Sequence, residues 1–113
     1  MHRGEVWLIN LDPAVGAEIR KTRPAVIVND DAIGLLPLKV IVPITEWKDR
    51  YSVAPWMVQV LPTSENRLDK ISAADAFQIR SLAQERFVRK LGNLSSTVME
   101  SIGKALIVVL GIE

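Results

Sequence analysis

The feature that most constrains this chain is an abrupt change from polar to apolar residues at Arg23-Pro24. Residues 16–22 are largely polar and basic, whereas residues 25–28 read Ala-Val-Ile-Val. Proline fixes its own φ and moves the preceding residue out of the α region, so we predict that Arg23 is extended at the start of a strand. The β-branched run predicts a strand that is buried on both faces or central in a sheet.

The position of Arg23 at such a strand suggests a chemical role. A guanidinium held by a rigid strand is well placed to bind phosphate, because its planar fork fits two phosphate oxygens. The alternative interpretation is a charged loop that leads into a core strand, with Arg23 in a surface salt bridge. Local features alone favour this alternative, because most basic loop residues are simply solvated.

The rest of the chain predicts a series of short strands followed by one helix. Apolar or alternating stretches indicate strands at 4–11, 24–29, 38–45, 57–61 and 86–91, and residues 71–82 fit one bent strand (71–76 and 78–82) or two short ones. Residues 12–23 form a long polar connection, and connections of that length are often functional. We therefore expect one domain, residues 1–113, of the α+β class: a small curled β-sheet or barrel with a C-terminal helix.

The predicted C-terminal helix has clear end signals. Ser95, Ser96 and Thr97 are all candidate N-caps, Thr97 and Glu100 have the spacing of a capping box, and Gly111 is a natural stop. One face collects apolar side chains: Val98, Ile102, Ala105, Leu106, Val109 and Leu110. Met99, Ile107 and Val108 extend the apolar surface beyond that face, so the helix needs cover on two sides. We interpret the excess as a homodimer interface; the alternative is a helix wedged into its own core.

Composition excludes several classes of site. The chain has no cysteine and one histidine, His2, so neither a thiolate site nor a histidine metal cluster is expected. It contains no P-loop motif and no paired metal-binding carboxylates. We therefore expect no metal and no cofactor. The N-terminus lacks a signal-peptide pattern and no apolar run approaches the length of a membrane span, which favours a cytoplasmic protein without a membrane partner.

RNA cleavage is a reaction that needs none of the excluded groups. The substrate brings its own nucleophile, the 2′-hydroxyl next to the scissile phosphate, and the protein must orient the attack, stabilise negative charge and handle two protons. A guanidinium such as that of Arg23 suits the charge, and a hydroxyl such as that of Thr45 suits a non-bridging oxygen. Single-stranded RNA binding also uses aromatic stacking, for which Trp47 is a candidate and Trp56 is expected to be structural.

Several short motifs, in order along nearly the whole chain, resemble the MazF/PemK family of toxin ribonucleases. They are Arg3-Gly4-Glu5-Val6-Trp7, Gly16-x-Glu18, Arg23-Pro24, Val42-Pro43-Ile44-Thr45 and Gln78-Ile79-Arg80-Ser81-Leu82. The resemblance implies an SH3-like barrel with a C-terminal helix (MazF/Kid/CcdB-like), usually a homodimer. It also implies a sequence-specific, metal-independent endoribonuclease that cleaves single-stranded mRNA and inhibits growth. Its partner would be a small, acidic, partly disordered antitoxin, with which such toxins bind DNA.

The resemblance also implies roles for individual residues in cleavage. The family's Arg-Pro arginine and Pro-x-Thr threonine fall on Arg23 and Thr45. The family's glutamate falls on Glu18, which would accept a proton or order the loop. A salt bridge from Glu18 to Arg20 or Lys21 accounts for the same residue equally well, and Thr45 could instead satisfy a loop amide.

A second group of residues is expected to bind RNA. Gln78 matches a family position that contacts RNA, and a carboxamide suits a base edge; its alternative is a hydrogen bond at a β-edge. Arg80 would steer phosphate or brace the sheet. Arg20 and Lys21 make the first long loop basic, and Trp47 offers a stacking surface or a structural anchor.

The sequence departs from the family pattern at three places. Many relatives have Gln-Gly-Gly where this chain has Ile19-Arg20-Lys21. Relatives often have an acid at the position of Phe77, just before Gln78. They often have another acid directly after the Arg-Ser-Leu segment, where this chain has Ala83. These changes bear on cut-site specificity more than on the reaction type.

The alternative function is that of a non-catalytic, gyrase-poisoning toxin or binding module of the related CcdB type. That type ends in Trp-Gly-Ile, whereas this chain ends Leu110-Gly111-Ile112-Glu113. The Arg-Pro and Pro-x-Thr motifs favour the ribonuclease, and they also argue against an inactive relative.

Overall fold

The computed structural model describes residues 1–112, which form seven strands and one α-helix. The strands are β1 Glu5–Asn10, β2 Thr22–Ile27, β3 Leu38–Glu46, β4 Met57–Val60, β5 Ser72–Asp75, β6 Arg80–Ala83 and β7 Phe87–Asn93, and the helix is α1 Ser96–Leu110. This confirms the predicted class, a mainly β fold with a C-terminal helix. Residues 71–82 form two short strands, because the 3₁₀ turn Ala76–Gln78 separates β5 from β6.

The sheet is antiparallel and is organised around β3. Its strand order is β4-β5-β3-β2-β1-β7, and β6 pairs with the first half of β3. Residues 38–41 of β3 pair with β6, residues 41–43 with β2 and residues 44–46 with β5. The nine-residue strand β3 therefore pairs with three other strands. The register of β1 against β7 also shifts at two points, and such irregularities bend a sheet.

Strand β2 is buried on both faces, as predicted. Val26 and Val28 point to a core that α1 covers, with Met99 and Ile102 among its members. Ala25 and Ile27 point to a smaller core on the other face. The strand begins earlier than predicted, because Thr22 and Arg23 pair with Asn10 and Ile9 of β1. Arg23 is therefore the second residue of a paired strand.

The start of the helix differs in detail from the prediction, whereas its end does not. Ser95 is the N-cap, and its side chain accepts a hydrogen bond from the Val98 amide at 3.2 Å. The predicted capping box at Thr97 and Glu100 was wrong, because the helix starts at Ser96 and Thr97 already lies in its first turn. Gly111 ends the helix in a left-handed conformation with φ of 65°, as predicted.

The buried side of the helix also differs from the predicted face. Met99, Ile102 and Ala105 are buried, and Leu106 is the last helical residue packed against the larger core. Leu110, which was placed on the buried face, is 54% exposed. No helix among residues 1–112 combines the length and apolar character that crossing a membrane would need.

Candidate active site

The register between β2 and β3 brings Arg23 and Thr45 together. The last pair between β2 and β3 is Ala25 with Pro43, and continuing that register by two residues leads from Ala25 to Arg23 and from Pro43 to Thr45. Residues two apart on a strand point to the same face, so Arg23 and Thr45 lie on one face of the sheet. Both side chains are half-buried and line one cleft of about 180 Å³ at the end of the β2–β3 ladder. The pair that the sequence singled out thus shares one concave site.

The guanidinium of Arg23 has one hydrogen bond within the described residues. Its Nε donates to the backbone carbonyl of Arg20 at 3.0 Å. No ion pair between residues 1–112 includes Arg23, so the alternative of a surface salt bridge is not seen there. The two terminal nitrogens of the guanidinium, which form the fork that binds an oxyanion, make no hydrogen bond to the described part of the chain.

Thr45 follows the same pattern. It pairs with Ala73 of β5 through the backbone, and its hydroxyl has no hydrogen-bond partner among residues 1–112. The nearby amide of Trp47 donates to the carbonyl of Ile71 instead. The alternative role, in which Thr45 satisfies a loop amide, is therefore not seen in this structure.

The connection between β1 and β2, residues 11–21, is folded back on itself, and we call it the β1–β2 loop. Glu18 accepts a hydrogen bond from the Val15 amide at 2.7 Å and forms no ion pair with Arg20 or Lys21 within the described residues. Arg20 donates to the Gly16 carbonyl at 3.1 Å. This contact is compatible with the expected ordering role of Glu18, and its role in cleavage stays a prediction.

Lys21 closes the loop where it meets β2. Its backbone is left-handed, with φ of 72°, and its amide donates to the Asp12 carboxylate at 2.9 Å. The carbonyl of Lys21 accepts from the Leu11 amide. The side chains of Arg20 and Lys21 are exposed, as expected for residues that would meet a polyanion.

A second, larger cleft of about 540 Å³ holds Glu18, Gln78 and Arg80. It does not include Arg23 or Thr45, but the two clefts share β3: Pro43 lines the larger one and Thr45 the smaller one. Residues two apart on a strand point to the same face. The structure therefore places the predicted cleavage residues, together with Gln78 and Arg80 of the predicted RNA-binding residues, in two clefts that share this strand.

Gln78 is occupied within the protein. Its Oε1 accepts from the Ile19 amide at 2.7 Å, and its Nε2 donates to Asp75 at 3.2 Å and to the Ala17 carbonyl at 3.5 Å. Asp75 is 5% exposed. Burial raises the pKa of the Asp75 carboxyl above its ordinary value, although hydrogen bonds from Phe77 and Gln78 partly offset this rise. No sequence pattern singles out Asp75, which reads only as an acid ahead of a short turn.

The aromatic residues lie outside these two clefts for the most part. Trp47 is half-buried and stacks edge-to-face on Tyr51 with ring centroids 5.8 Å apart, and it lines neither cleft. Trp56 makes the same kind of contact with Phe77, which is 64% exposed and borders the larger cleft. The structural role expected for Trp56 stays a prediction, and Trp47 does not line either cleft.

Metal ligands are absent from the described residues in the arrangement that a metal site needs. Among residues 1–112 no three histidine or carboxylate side chains come together in a way that would hold an ion. The smaller cleft offers the guanidinium of Arg23, the hydroxyl of Thr45 and the ammonium of Lys70, and the carboxylates of Glu46 and Asp69 also line it. The guanidinium and the hydroxyl are groups that bind and polarise phosphate oxygens.

Comparison with known proteins places the chain in a family. The family described as "PemK-like, MazF-like toxin of type II toxin-antitoxin system" matches residues 2–110. The chain belongs to this family. It is 35% identical over 112 residues to endoribonuclease MazF9 of Mycobacterium tuberculosis, covering 94% of this chain and 92% of that protein. It is 33% identical to endoribonuclease MazF of Staphylococcus saprophyticus, covering 99% of this chain and 92% of that protein.

Solved structures of the family share the fold. A crystal structure of MazF from Deinococcus radiodurans superposes with a TM-score of 0.81 at 24% identity, covering 99% of this chain and 97% of that one. An endoribonuclease in complex with its cognate antitoxin, from a mycobacterial species, gives a TM-score of 0.78 at 22% identity, covering 100% and 97%. The predicted MazF-like architecture is therefore confirmed.

Proposed function

We propose that this chain is a toxin endoribonuclease that cleaves single-stranded RNA at specific sequences without a metal ion. Its family is that of type II toxins, and two relatives that it matches over more than nine-tenths of its length are endoribonucleases by name. Residues 1–113 act as a single domain in the cytoplasm. The partner that neutralises it is a small acidic antitoxin, in line with the antitoxin complex of a structural relative.

One observation carries the proposed mechanism: Arg23 of β2 and Thr45 of β3 line the same cleft, and neither is bound to an acidic side chain within residues 1–112. A phosphate that enters this cleft meets the guanidinium fork and the hydroxyl together. As the 2′-hydroxyl attacks, negative charge grows on the non-bridging oxygens. Donors already held at that position stabilise the transition state more than the ground state.

The other predicted residues have supporting roles in this proposal. Glu18 holds the β1–β2 loop through the Val15 amide, and the exposed Arg20 and Lys21 attract the RNA backbone. Arg80 lines the larger cleft, where it meets a phosphate away from the cut. Trp47 lies two residues after Thr45 and serves RNA that extends beyond the clefts.

The test is cleavage of a long, mixed-sequence single-stranded RNA in excess EDTA, with the ends of the products mapped. We expect discrete cuts that leave a 2′,3′-cyclic phosphate or 3′-phosphate. Arg23→Ala should slow cleavage by about 100-fold or more, and Thr45→Val, which removes the hydroxyl at almost constant volume, should slow it by about tenfold or more. Arg89→Ala removes an exposed arginine of β7 outside both clefts and should cleave as the unmodified protein does.

Two results would contradict the proposal. Cleavage by Arg23→Ala at the unmodified rate would remove Arg23 from the mechanism. A folded sample, free of antitoxin, that cuts no RNA but inhibits gyrase would move the chain to the CcdB type.

A further inference from the structure

Gln78 connects two parts of the molecule that are far apart in the sequence. Its Oε1 accepts from the amide of Ile19, 59 residues earlier, at 2.7 Å. Its Nε2 faces the Ala17 carbonyl at 3.5 Å. The loop segment around Glu18 is therefore attached to the turn after β5 through a single carboxamide.

Asp75 determines which way that carboxamide points. Its Oδ2 accepts from Gln78 Nε2 at 3.2 Å, and its Oδ1 accepts from the Phe77 amide at 3.1 Å. Asp75 ends β5 and is nearly fully buried, so it cannot rotate away to water. A carboxylate only accepts hydrogen bonds, so the Gln78 NH₂ group must face it and the Gln78 oxygen must face Ile19.

The loop in turn determines where Arg23 lies. Ile19 is held by Gln78, and the next residue, Arg20, offers the carbonyl to which Arg23 Nε donates at 3.0 Å. Contacts thus run without a break from Asp75 through Gln78 and the loop to the guanidinium. If the Ile19 amide is released, the carbonyl that orients Arg23 is free to move.

We propose that Asp75 and Gln78 are positioning residues that hold the β1–β2 loop so that Arg23 is oriented at the scissile phosphate. This inference rests on the function proposed above. It differs from the expectation that Gln78 reads an RNA base, because the oxygen and the NH₂ group of Gln78 already have partners inside the protein. An amide engaged on both ends orders its own loop before it can read a base edge.

The polarity of the Asp75–Gln78 contact provides a sharp test. In Asp75→Asn an NH₂ group faces the NH₂ group of Gln78, and in Gln78→Glu a carboxylate faces the buried carboxylate of Asp75. Each change breaks the contact at nearly constant shape. In the double variant the new amide at position 75 donates to the new carboxylate at position 78, whose other oxygen still accepts from Ile19. The contact is therefore rebuilt with reversed polarity.

Three measurements are made on each variant. The first is the single-turnover cleavage rate of an RNA that carries the mapped cut site. The second is the affinity for the same RNA with a 2′-deoxy sugar at the cut, which binds but lacks the nucleophile. The third is hydrogen exchange at the Ile19 amide. Gln59→Glu makes the same chemical change on exposed β4, outside both clefts, and is the matched control.

We expect each single variant to cleave about tenfold more slowly or worse, with affinity for the 2′-deoxy RNA changed less than the cleavage rate. Exchange at Ile19 should become faster in both. The double variant should regain cleavage to within about threefold of the unmodified protein, together with protection of Ile19. Gln59→Glu should change neither quantity.

The inference is overturned if the single variants cleave at the unmodified rate, or if the double variant is as slow as the slower single one. A changed cut sequence in Gln78→Glu that persists in the double variant would instead make Gln78 a base-reading residue. These outcomes differ from failure of the proposed function, in which the unmodified protein cuts no RNA. If the unmodified protein cuts RNA and Arg23→Ala does not, the proposed function holds. A negative result with the Asp75 and Gln78 variants then contradicts only their positioning role.

Discussion

At the scale of single residues, Glu5 is a buried acid whose ionised form the fold favours. It is 8% exposed, accepts from the Trp7 indole at 2.8 Å and lies 3.6 Å from the Lys90 ammonium. Burial raises the pKa of Glu5, but the Trp7 hydrogen bond, the backbone at His2 and the charge of Lys90 outweigh it and leave the pKa below its ordinary value of 4.5. The folded state therefore binds this proton less tightly than the unfolded chain does.

The sign of the pH dependence follows from that lowered pKa. The stabilisation from Glu5 is fully present above pH 4.5 and is lost as the pH falls through the lower, folded-state pKa. We expect Glu5→Gln to lower the free energy of unfolding by about 1–2 kcal/mol at neutral pH, with a difference that shrinks in acid. Urea unfolding from pH 3 to pH 7 measures it, with the exposed Glu65→Gln as control. A difference that grows in acid would contradict this account.

At the scale of elements, the start of α1 depends on one hydroxyl. Ser95 accepts from the Val98 amide, whereas Thr97 and Ser96 lie inside the helix and make no capping bond. Ser95→Ala should cost about 1 kcal/mol of unfolding free energy. Thr97→Ala, at the neighbouring candidate, should change it by no more than about 0.5 kcal/mol. Equal losses in the two variants, measured by chemical unfolding, would show that the cap is not local to Ser95.

The sequence predicted which helices and strands form better than it predicted the residues at which they begin and end. The helix and the strands follow from apolar runs separated by proline, glycine and polar turns, except that residues 71–82 fitted either one bent strand or two short ones. Strand β2 was predictable because its buried residues are contiguous. The N-cap of the helix was not predictable, because three consecutive hydroxyl residues, Ser95, Ser96 and Thr97, satisfy the same local rule. The choice among them depends on how the helix packs against the sheet, whose strands are distant in sequence. Gly92 is a further case: a Cβ there would lie 2.0 Å from the Glu65 carbonyl, a contact that no local pattern indicates.

At the scale of the whole molecule, some features of the site were predictable from the sequence and others were not. Arg23 and Thr45 were predictable as a pair because the family resemblance assigns cleavage to both, and the structure places both in one cleft. The hydrogen bonds that connect Asp75, Gln78 and Ile19 were not predictable. They join a loop to a turn 59 residues away, and no periodic sequence pattern indicates such a contact. The family and the fold class were predicted from the motifs and are confirmed; the endoribonuclease activity is the function proposed above, and the roles of the individual residues stay predictions.

The end of α1 makes the last prediction, which concerns assembly. Ile107, Val108 and Leu110 are each about half exposed on the single chain, and Ile112 follows them at 56%. The preceding turns of the same exposed side carry Glu100, Ser101 and Lys104, so the apolar surface is confined to the C-terminal end. Apolar surface gathered in this way is typical of an interface, and we expect two copies to pack there as a homodimer.

Light scattering during gel filtration tests the assembly with a matched pair of variants. Val108→Lys places a charge in the expected interface and should shift the protein to monomer. Ser101→Lys adds the same charge two turns earlier on the same side and should leave the dimer intact. A second exposed apolar group, Ile33, Leu35, Leu36 and Leu38, offers the competing surface. If Leu35→Lys dissociates the dimer while Val108→Lys does not, the two copies meet through this second apolar group. The apolar end of α1 is then left for another partner.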